Sequence, residues 1–354
     1  MKNHKSEKPP LIVLSGPTAV GKTKLSIALA KVIGGEILSA DSMQVYRRMD
    51  IGSAKIAAEE MQGVPHHMID ILDPWEDFSV AVFKEKCTEC LPGIYERGHI
   101  PLVVGGTGFY VQALLRDIDF TENAENSEIR TWLEKLAAEK GEGFLYDRLR
   151  EADPVSAEKI HPNNRKRVIR ALEYFYLTGE TISCHNEREQ EKNSAFNSCY
   201  FVLNDIREKL YERIEQRVDT MIENGLVAEV EALRGLGCHR GMVSMQGLGY
   251  KEILAYLEGE ITLEEAVALM KRDTRHFAKR QLTWFRREKD VIWIQKNEFE
   301  YNDGVILRYM LERMRQKEII TPENVPGYDG NDRTQAVKSR TEQTAESRCE
   351  DERY

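Results

Sequence analysis

The sequence has little of what would mark an extracellular or membrane-bound protein. Its 354 residues hold six cysteines, too few for a disulfide framework, and a reduced, cytoplasmic setting is expected. No stretch approaches the roughly 18 apolar residues of a membrane-spanning helix, so no membrane partner is expected. The polar start Met1–Pro10 leads into an apolar run too short for a secretory signal. There is no excess of positive charge either. Lys and Arg number 50 against 59 Asp and Glu, a net of −9, so any nucleic-acid partner must be read from local charge. No internal repeat is visible. What is present suffices for a core, since 41% of residues are hydrophobic and 31% charged, which excludes disorder of the whole chain. The length suggests two domains, or one large domain with an insertion.

Leu11–Ser15 is an apolar run that reads as a buried parallel strand ending at Gly16-Pro17. Lys22–Val32 reads as a helix with Leu25, Leu29 and Val32 on one face, stopped by Gly34-Gly35. Further strands are expected at Glu36–Ala40, Pro101–Val104, Cys199–Leu203 and Asp290–Gln295. Strands alternating with helices imply an α/β sheet with right-handed crossovers. From Thr121 to about Asn197 the pattern is charged and helical, which predicts a helical insertion. Asn204-Asp205 can cap the next helix, Gly225 can end it, and Thr262 with Glu265 forms a capping box opening a long helix through Arg287. Boundaries follow: 9–120 plus 199–317 as core, 121–198 as insertion, and 318–354 as a disordered tail with nine acidic and five basic residues.

Gly16-Pro17-Thr18-Ala19-Val20-Gly21-Lys22-Thr23 fits G-x-x-x-x-G-K-[ST] and lies between a strand and a helix, as a phosphate loop must. Its glycines let successive N–H groups point inward, and the helix N-terminus adds partial positive charge. Lys22 can reach terminal phosphates, and the Thr23 hydroxyl can hold Mg²⁺. The motif specifies a polyphosphate and does not say whether it is ATP. The Walker-B acid that P-loop ATPases and GTPases carry is missing, because Leu102–Val104 runs into Gly105-Gly106-Thr107. An acid stands instead at Asp41, at the end of the second strand. Asp41 can be a helix cap, or a metal ligand or general base beside the phosphate loop. Arg217, on a helix, reads equally as a solvated surface residue.

Together, Gly16–Thr23, Ser39–Tyr46, Val64–Asp70, Val104–Tyr110, Arg165–Glu173, Arg217-Val-Asp-Thr-Met, Gly247–Lys251 and Lys279–Trp284 resemble the bacterial tRNA isopentenyltransferase (tRNA dimethylallyltransferase) family over about residues 9–315. The first motif is generic, whereas the ordered set is specific. The resemblance implies a P-loop NTPase-like parallel sheet core with an all-helical insertion domain. It also implies transfer of a dimethylallyl group from dimethylallyl diphosphate to N6 of the adenosine 3′-adjacent to the anticodon of tRNA. Catalytic roles fall on Asp41 as general base, Thr107 assisting it, and Lys22 and Arg217 at the diphosphate. RNA contact falls on Asp41, Ser42, Met43, Gln44, Thr107 and Arg130, then on Lys166, Arg167, Val168, Ile169 and Arg170. It continues with Met245, Gln246, Gly247, Leu248, Gly249, Tyr250 and Lys251, and ends with Lys279, Arg280, Gln281, Trp284, Arg286 and Arg287. Mg²⁺ is the expected cofactor, and ATP is expected to bind weakly or not at all. Nothing demands more than a monomer.

The residues fit that chemistry. Departure of an allylic diphosphate builds negative charge, which preorganised cations stabilise. Adenine N6 is a poor nucleophile that a carboxylate base assists, and the target base must leave its stack to reach a buried donor. Lys271–Lys289 carries eight basic and two acidic residues, a net of +6, with Arg272, Arg275, Lys279 and Arg286 on one stripe. Phe277, Trp284 and Phe285 can anchor that helix or stack on bases. A small-molecule kinase would not need the basic stripe, and an RNA-binding nucleotide switch would not need Asp41. Cys87-Thr-Glu-Cys90 lacks the second pair a zinc site needs and is expected to be two helix-surface cysteines. His66-His67 would face opposite ways on a strand and are given no chemistry.

Overall fold

A computed structural model describes residues 8–120 and 128–321. In chain order the elements are β1 (Pro10–Ser15), α1 (Lys22–Ile33), β2 (Gly35–Ser39), β3 (His66–His67), α2 (Val80–Glu96), β4 (Ile100–Gly105) and α3 (Gly108–Leu115). Five helices follow: α4 (Glu128–Lys140), α5 (Glu142–Ala152), α6 (Pro154–Lys159), α7 (Arg165–Thr178) and α8 (Ile182–Glu191). The chain then returns through β5 (Asn197–Asn204), α9 (Arg207–Glu223), α10 (Leu226–Gly235), α11 (Tyr250–Leu257), α12 (Leu263–Phe285), β6 (Val291–Gln295) and α13 (Asp303–Gln316).

The sheet has six strands in the order β3-β2-β4-β1-β5-β6, and every pairing is parallel. Central strands of such a sheet are buried on both faces. Accordingly Leu11 and Val13 enter one apolar core while Ile12 and Leu14 enter the other. Helices α4, α5, α6 and α7 enclose a third core of their own around Leu133, Leu145, Leu149, Ile169 and Leu172.

Register brings the strand ends together. Ser15 lies opposite Gly105 and Val202, and Ser39 opposite Val104. The phosphate loop, Asp41 and Thr107 therefore emerge from one edge of the sheet, where ligands bind in open α/β folds. Asp41 is not on a neighbour of β1, because β4 is hydrogen-bonded between β1 and β2. The glycine segment after β4 consequently stands between phosphate loop and aspartate.

Several local expectations shift. On α1 the inward face is Leu25, Leu29 and Ile33, with Val32 exposed, and Gly34 ends the helix one residue later than expected in a left-handed C-cap. Asp205 does not cap α9. Its carboxylate accepts from Ile206 N at 2.8 Å and from Tyr301 Oη at 3.1 Å, and it pairs with Arg213. The α12 capping box forms as expected, with Thr262 N donating to Glu265 Oε2 at 2.8 Å, although the helix ends at Phe285. Ile319 and Ile320 are buried in the core, so packing extends past residue 318; residues 322–354 of the expected tail lie outside the described residues. Cys87 is buried on α2 rather than on its surface, and burial pushes its thiol well above the ordinary range. Among the described residues no cluster of three or more His, Cys, Asp or Glu could hold a metal.

Candidate active site

β1 ends at Ser15 and α1 begins at Lys22, so the phosphate motif forms the turn between them. Gly16 is required by crowding, since a β-carbon there would stand 2.5 Å from the Leu203 carbonyl oxygen. Gly21 takes a left-handed φ of 96° to aim the chain into α1. Lys22 Nζ donates to Gly16 O at 2.9 Å and Pro17 O at 2.8 Å. Arg217 reaches over from α9 and donates to Thr18 Oγ1 at 3.2 Å. Burial lowers the Lys22 pKa to about 7; nearby Arg217 adds to the fall and Asp41 opposes it. Burial also pushes Arg217 down, again against Asp41. Two poorly hydrated cations so close together favour a polyanion between them.

Lys22, Thr23, Asp41, Gln44, His66 and Gly105 line one cleft of about 60 Å³. Asp41 Oδ1 accepts from Met43 N at 2.8 Å and from Gln44 N at 3.4 Å. The capping and chemical readings therefore coexist, because one oxygen holds the turn while the carboxylate still faces the cleft. Thr107 starts α3, and its hydroxyl caps no backbone N–H. The glycines around it are fixed by close approach: Gly105 to Ala40 O, Gly106 to the Gln281 amide, and Gly108 to the Trp284 ring.

Gln281 ties the site together from α12. Its Oε1 accepts from Thr18 N at 2.9 Å, and its Nε2 donates to Gly106 O at 2.9 Å. One buried amide thus joins the phosphate loop to the β4–α3 turn. A second brace holds the segment after Asp41. Gln44 Oε1 accepts from Ser39 Oγ at 3.0 Å, and Gln44 Nε2 donates to Ala54 O at 3.3 Å. The Glu229 carboxylate accepts from the N–H groups of Asp50, Ile51 and Gly52 at 2.9, 2.7 and 3.1 Å, and from Tyr250 Oη at 2.8 Å. Nothing in the sequence pattern singled out Glu229; a solvated helix glutamate looks the same until its partners converge.

On the outer face, Lys279, Arg280, Arg286 and Arg287 are exposed and carry no ion pair among the described residues. A cavity of about 750 Å³ opens between α3 and the inserted helices, with Phe109 and Trp284 on one side and Lys159, Arg167, Arg170 and Tyr174 on the other.

Comparison with known families places this arrangement. The family profile described as IPP transferase matches residues 44–288, and one described as isopentenyl transferase matches residues 9–71. The chain belongs to the IPP transferase family. It is 60% identical over 311 residues to a tRNA dimethylallyltransferase of Lachnoclostridium phytofermentans, covering 88% of this chain and 99% of that one. A tRNA dimethylallyltransferase of Acetivibrio thermocellus is 49% identical, with 85% and 97% covered. Among solved structures, the tRNA isopentenylpyrophosphate transferase of Bacillus halodurans superposes with a TM-score of 0.66 at 45% identity, covering 88% of this chain and 98% of that one. A eukaryotic dimethylallyltransferase, captured acting on tRNA, gives 0.70 at 31% identity, with 81% and 74% covered.

Within this IPP transferase fold the residues matched to RNA contacts divide by exposure. Lys166 and Arg167 are exposed, but Val168 and Ile169 are buried in the third core. Arg170 and Arg130 both pair with Glu173 at 3.4 Å. Met245 and Tyr250 are fully buried and Gly247 and Gly249 are covered, so of that motif Gln246, Leu248 and Lys251 keep accessible side chains. The glycines there admit protein: a β-carbon on Gly247 would stand 2.5 Å from Met43 Cε, and one on Gly52 would stand 2.6 Å from the Tyr250 ring. Gln281 spends both ends of its amide inside the protein. The stripe on α12 is also partly neutralised, since Lys271 meets Asp219 at 2.7 Å, Arg275 meets Glu215 at 2.5 Å and Arg272 meets Asp273 at 2.8 Å. His66 lines the Asp41 cleft, and burial lowers its pKa, while His67 turns to Glu36 at 2.6 Å.

Proposed function

We propose that this IPP transferase moves a dimethylallyl group from dimethylallyl diphosphate to N6 of the adenosine 3′-adjacent to the anticodon in tRNAs, releasing diphosphate. The observation that carries this reading is the shared cleft of Lys22, Thr23 and Asp41, a phosphate cradle and a carboxylate on one sheet edge. The activities named for its relatives agree with it.

The donor's C–O bond breaks with allyl-cation character, and its electron pair leaves with the diphosphate. Lys22, Arg217 and the loop amides stabilise that growing charge. The N6 lone pair forms the new bond to carbon, and Asp41 accepts the N6 proton, assistance worth about 10²–10⁴-fold. Thr107, with its hydroxyl free of capping duty, holds the acceptor amine toward Asp41. Oxygen donors suit Mg²⁺, which keeps several waters and binds through substrate phosphates with few protein ligands. The Thr23 hydroxyl fits that demand, and when bound the ion would supply further positive charge at the leaving diphosphate. Lys279, Arg280, Arg286 and Arg287 bind RNA phosphates, and Lys166 and Arg167 approach from the insertion, 121–198. The enzyme acts as a cytoplasmic monomer, and ATP binds the phosphate loop weakly or not at all.

The test incubates the protein with unmodified tRNA, Mg²⁺ and labelled dimethylallyl diphosphate, and in parallel with γ-labelled ATP. Label on tRNA from the prenyl donor is the expected outcome. ATP turnover without prenyl transfer would overturn the reading in favour of a kinase or a switch.

A further inference from the structure

We propose that Lys296 is a third side-chain cation of the donor site and contacts the diphosphate held by the phosphate loop; this rests on the prenyl-transfer reading above. Lys296 follows the last residue of β6, so it leaves the sheet at the same carboxyl edge as the phosphate loop. Its stem crosses toward β1, and its Nζ lies 3.1 Å from the point a β-carbon on Gly21 would occupy. Gly21 is the N-cap of α1 and has no side-chain cap.

An ammonium group is badly placed there on its own. The N-terminus of a helix carries partial positive charge, and Lys22 is the first residue of that helix. Arg217 adds a further cation to the loop through Thr18. The Lys296 side chain is only 13% exposed, so bulk water solvates little of its ammonium. Asp303 is a partial partner. Its Oδ1 lies 3.6 Å from Lys296 Nζ, beyond the roughly 2.7–2.9 Å of a charge-assisted hydrogen bond, and its Oδ2 pairs with Lys24 at 3.1 Å. A multiply charged anion in the loop supplies the missing partner: it satisfies the amides, Lys22 and Arg217 and still offers an oxygen to the Lys296 ammonium. A lysine suits the task, as its flexible stem and three donors adapt to either end of a diphosphate.

Isothermal titration of the full chain with inorganic diphosphate in the presence of Mg²⁺ tests this. Lys296→Met should weaken binding roughly tenfold, as expected for loss of a hydrogen bond between charged groups, and Lys296→Arg should restore most of it. Lys24→Met is the control, because Lys24 also pairs with Asp303 but its side chain is 85% exposed. It should change affinity less than about threefold, since exposed charges are screened. Lys296→Gln offers a second uncharged variant, and the unfolding midpoint of each variant reports whether it is folded. Unchanged diphosphate affinity in folded Lys296→Met or Lys296→Gln would overturn the assignment. So would an equal loss in Lys24→Met, which would mean bulk electrostatics and no contact. If the unaltered protein fails to bind diphosphate, the prenyl-transfer reading itself falls.

Discussion

Replacing Gln281 with leucine tests whether one buried amide holds the β1–α1 turn and the β4–α3 turn together. The side chain is 6% exposed; it accepts from Thr18 N and donates to Gly106 O, both at 2.9 Å. Leucine has a similar volume and bonds to neither, so a half-buried N–H and a buried C=O lose their partners. Each unsatisfied group costs about 1–3 kcal/mol. The added apolar burial returns about 1 kcal/mol. The net expectation is about 1–5 kcal/mol of lost stability, a large share of the roughly 5–15 kcal/mol that folded proteins possess. Urea unfolding reads this directly. Single-turnover prenyl transfer should slow, because Thr18 and Thr107 no longer share a fixed brace. Affinity for tRNA should stay within about twofold, since the amide has no free atom to offer. Unchanged stability together with weakened tRNA binding would refute the argument and show that Gln281 turns outward to read RNA.

Asp41→Asn keeps an oxygen to accept from Met43 N, so the turn should persist while single-turnover transfer falls by about 10²–10⁴-fold. An equal loss of tRNA affinity would make Asp41 structural. Lys279→Ala and Arg280→Ala should each reduce the salt slope of tRNA binding by about one. Arg275→Ala, paired with Glu215 at 2.5 Å, should leave that slope alone, and titrations at several salt concentrations separate the two cases. Glu36 is buried at 1% exposure and held by Arg97 at 2.7 Å and by His67 and His99 at 2.6 Å. Bonding to Arg97, with help from both histidines against burial, brings its pKa down to about 2 from 4.5. Its folded value lies below its unfolded one, so its contribution is present above about pH 4.5 and is lost as pH falls toward about 2. Unfolding free energy should therefore drop by about 2–3 kcal/mol across that window from this group. Glu36→Gln should flatten that slope, and an unaltered pH profile would count against it.

How far the chemistry could be read beforehand depends on whether its signal is local. The phosphate loop, the strand ends and the capping box of α12 were readable because each depends on residues within a few positions: glycine at a left-handed turn, alternating core faces, Thr262 answering Glu265. The family motifs were readable for the same reason. Gly247–Tyr250 shows where local reading stops. The resemblance gives this motif to RNA contact, whereas the groups packed against its glycines are Met43 and the loop at Gly52.

The sequence by itself determined the parallel α/β core, the helical insertion and the place of the glycine motif between β1 and α1, since these follow from periodicity and turn chemistry. Only the tertiary structure decided which charges remain free. Arg275 and Lys279 are one helical turn apart and alike in sequence, yet α9 places Glu215 against the first and leaves the second to solvent. It also decided that β4 separates Asp41 from the phosphate loop, and that Gln281, Glu229 and Lys296 converge on the site from far along the chain. Those placements arise from the order of strands and the packing of helices, which bring together residues that no local pattern links.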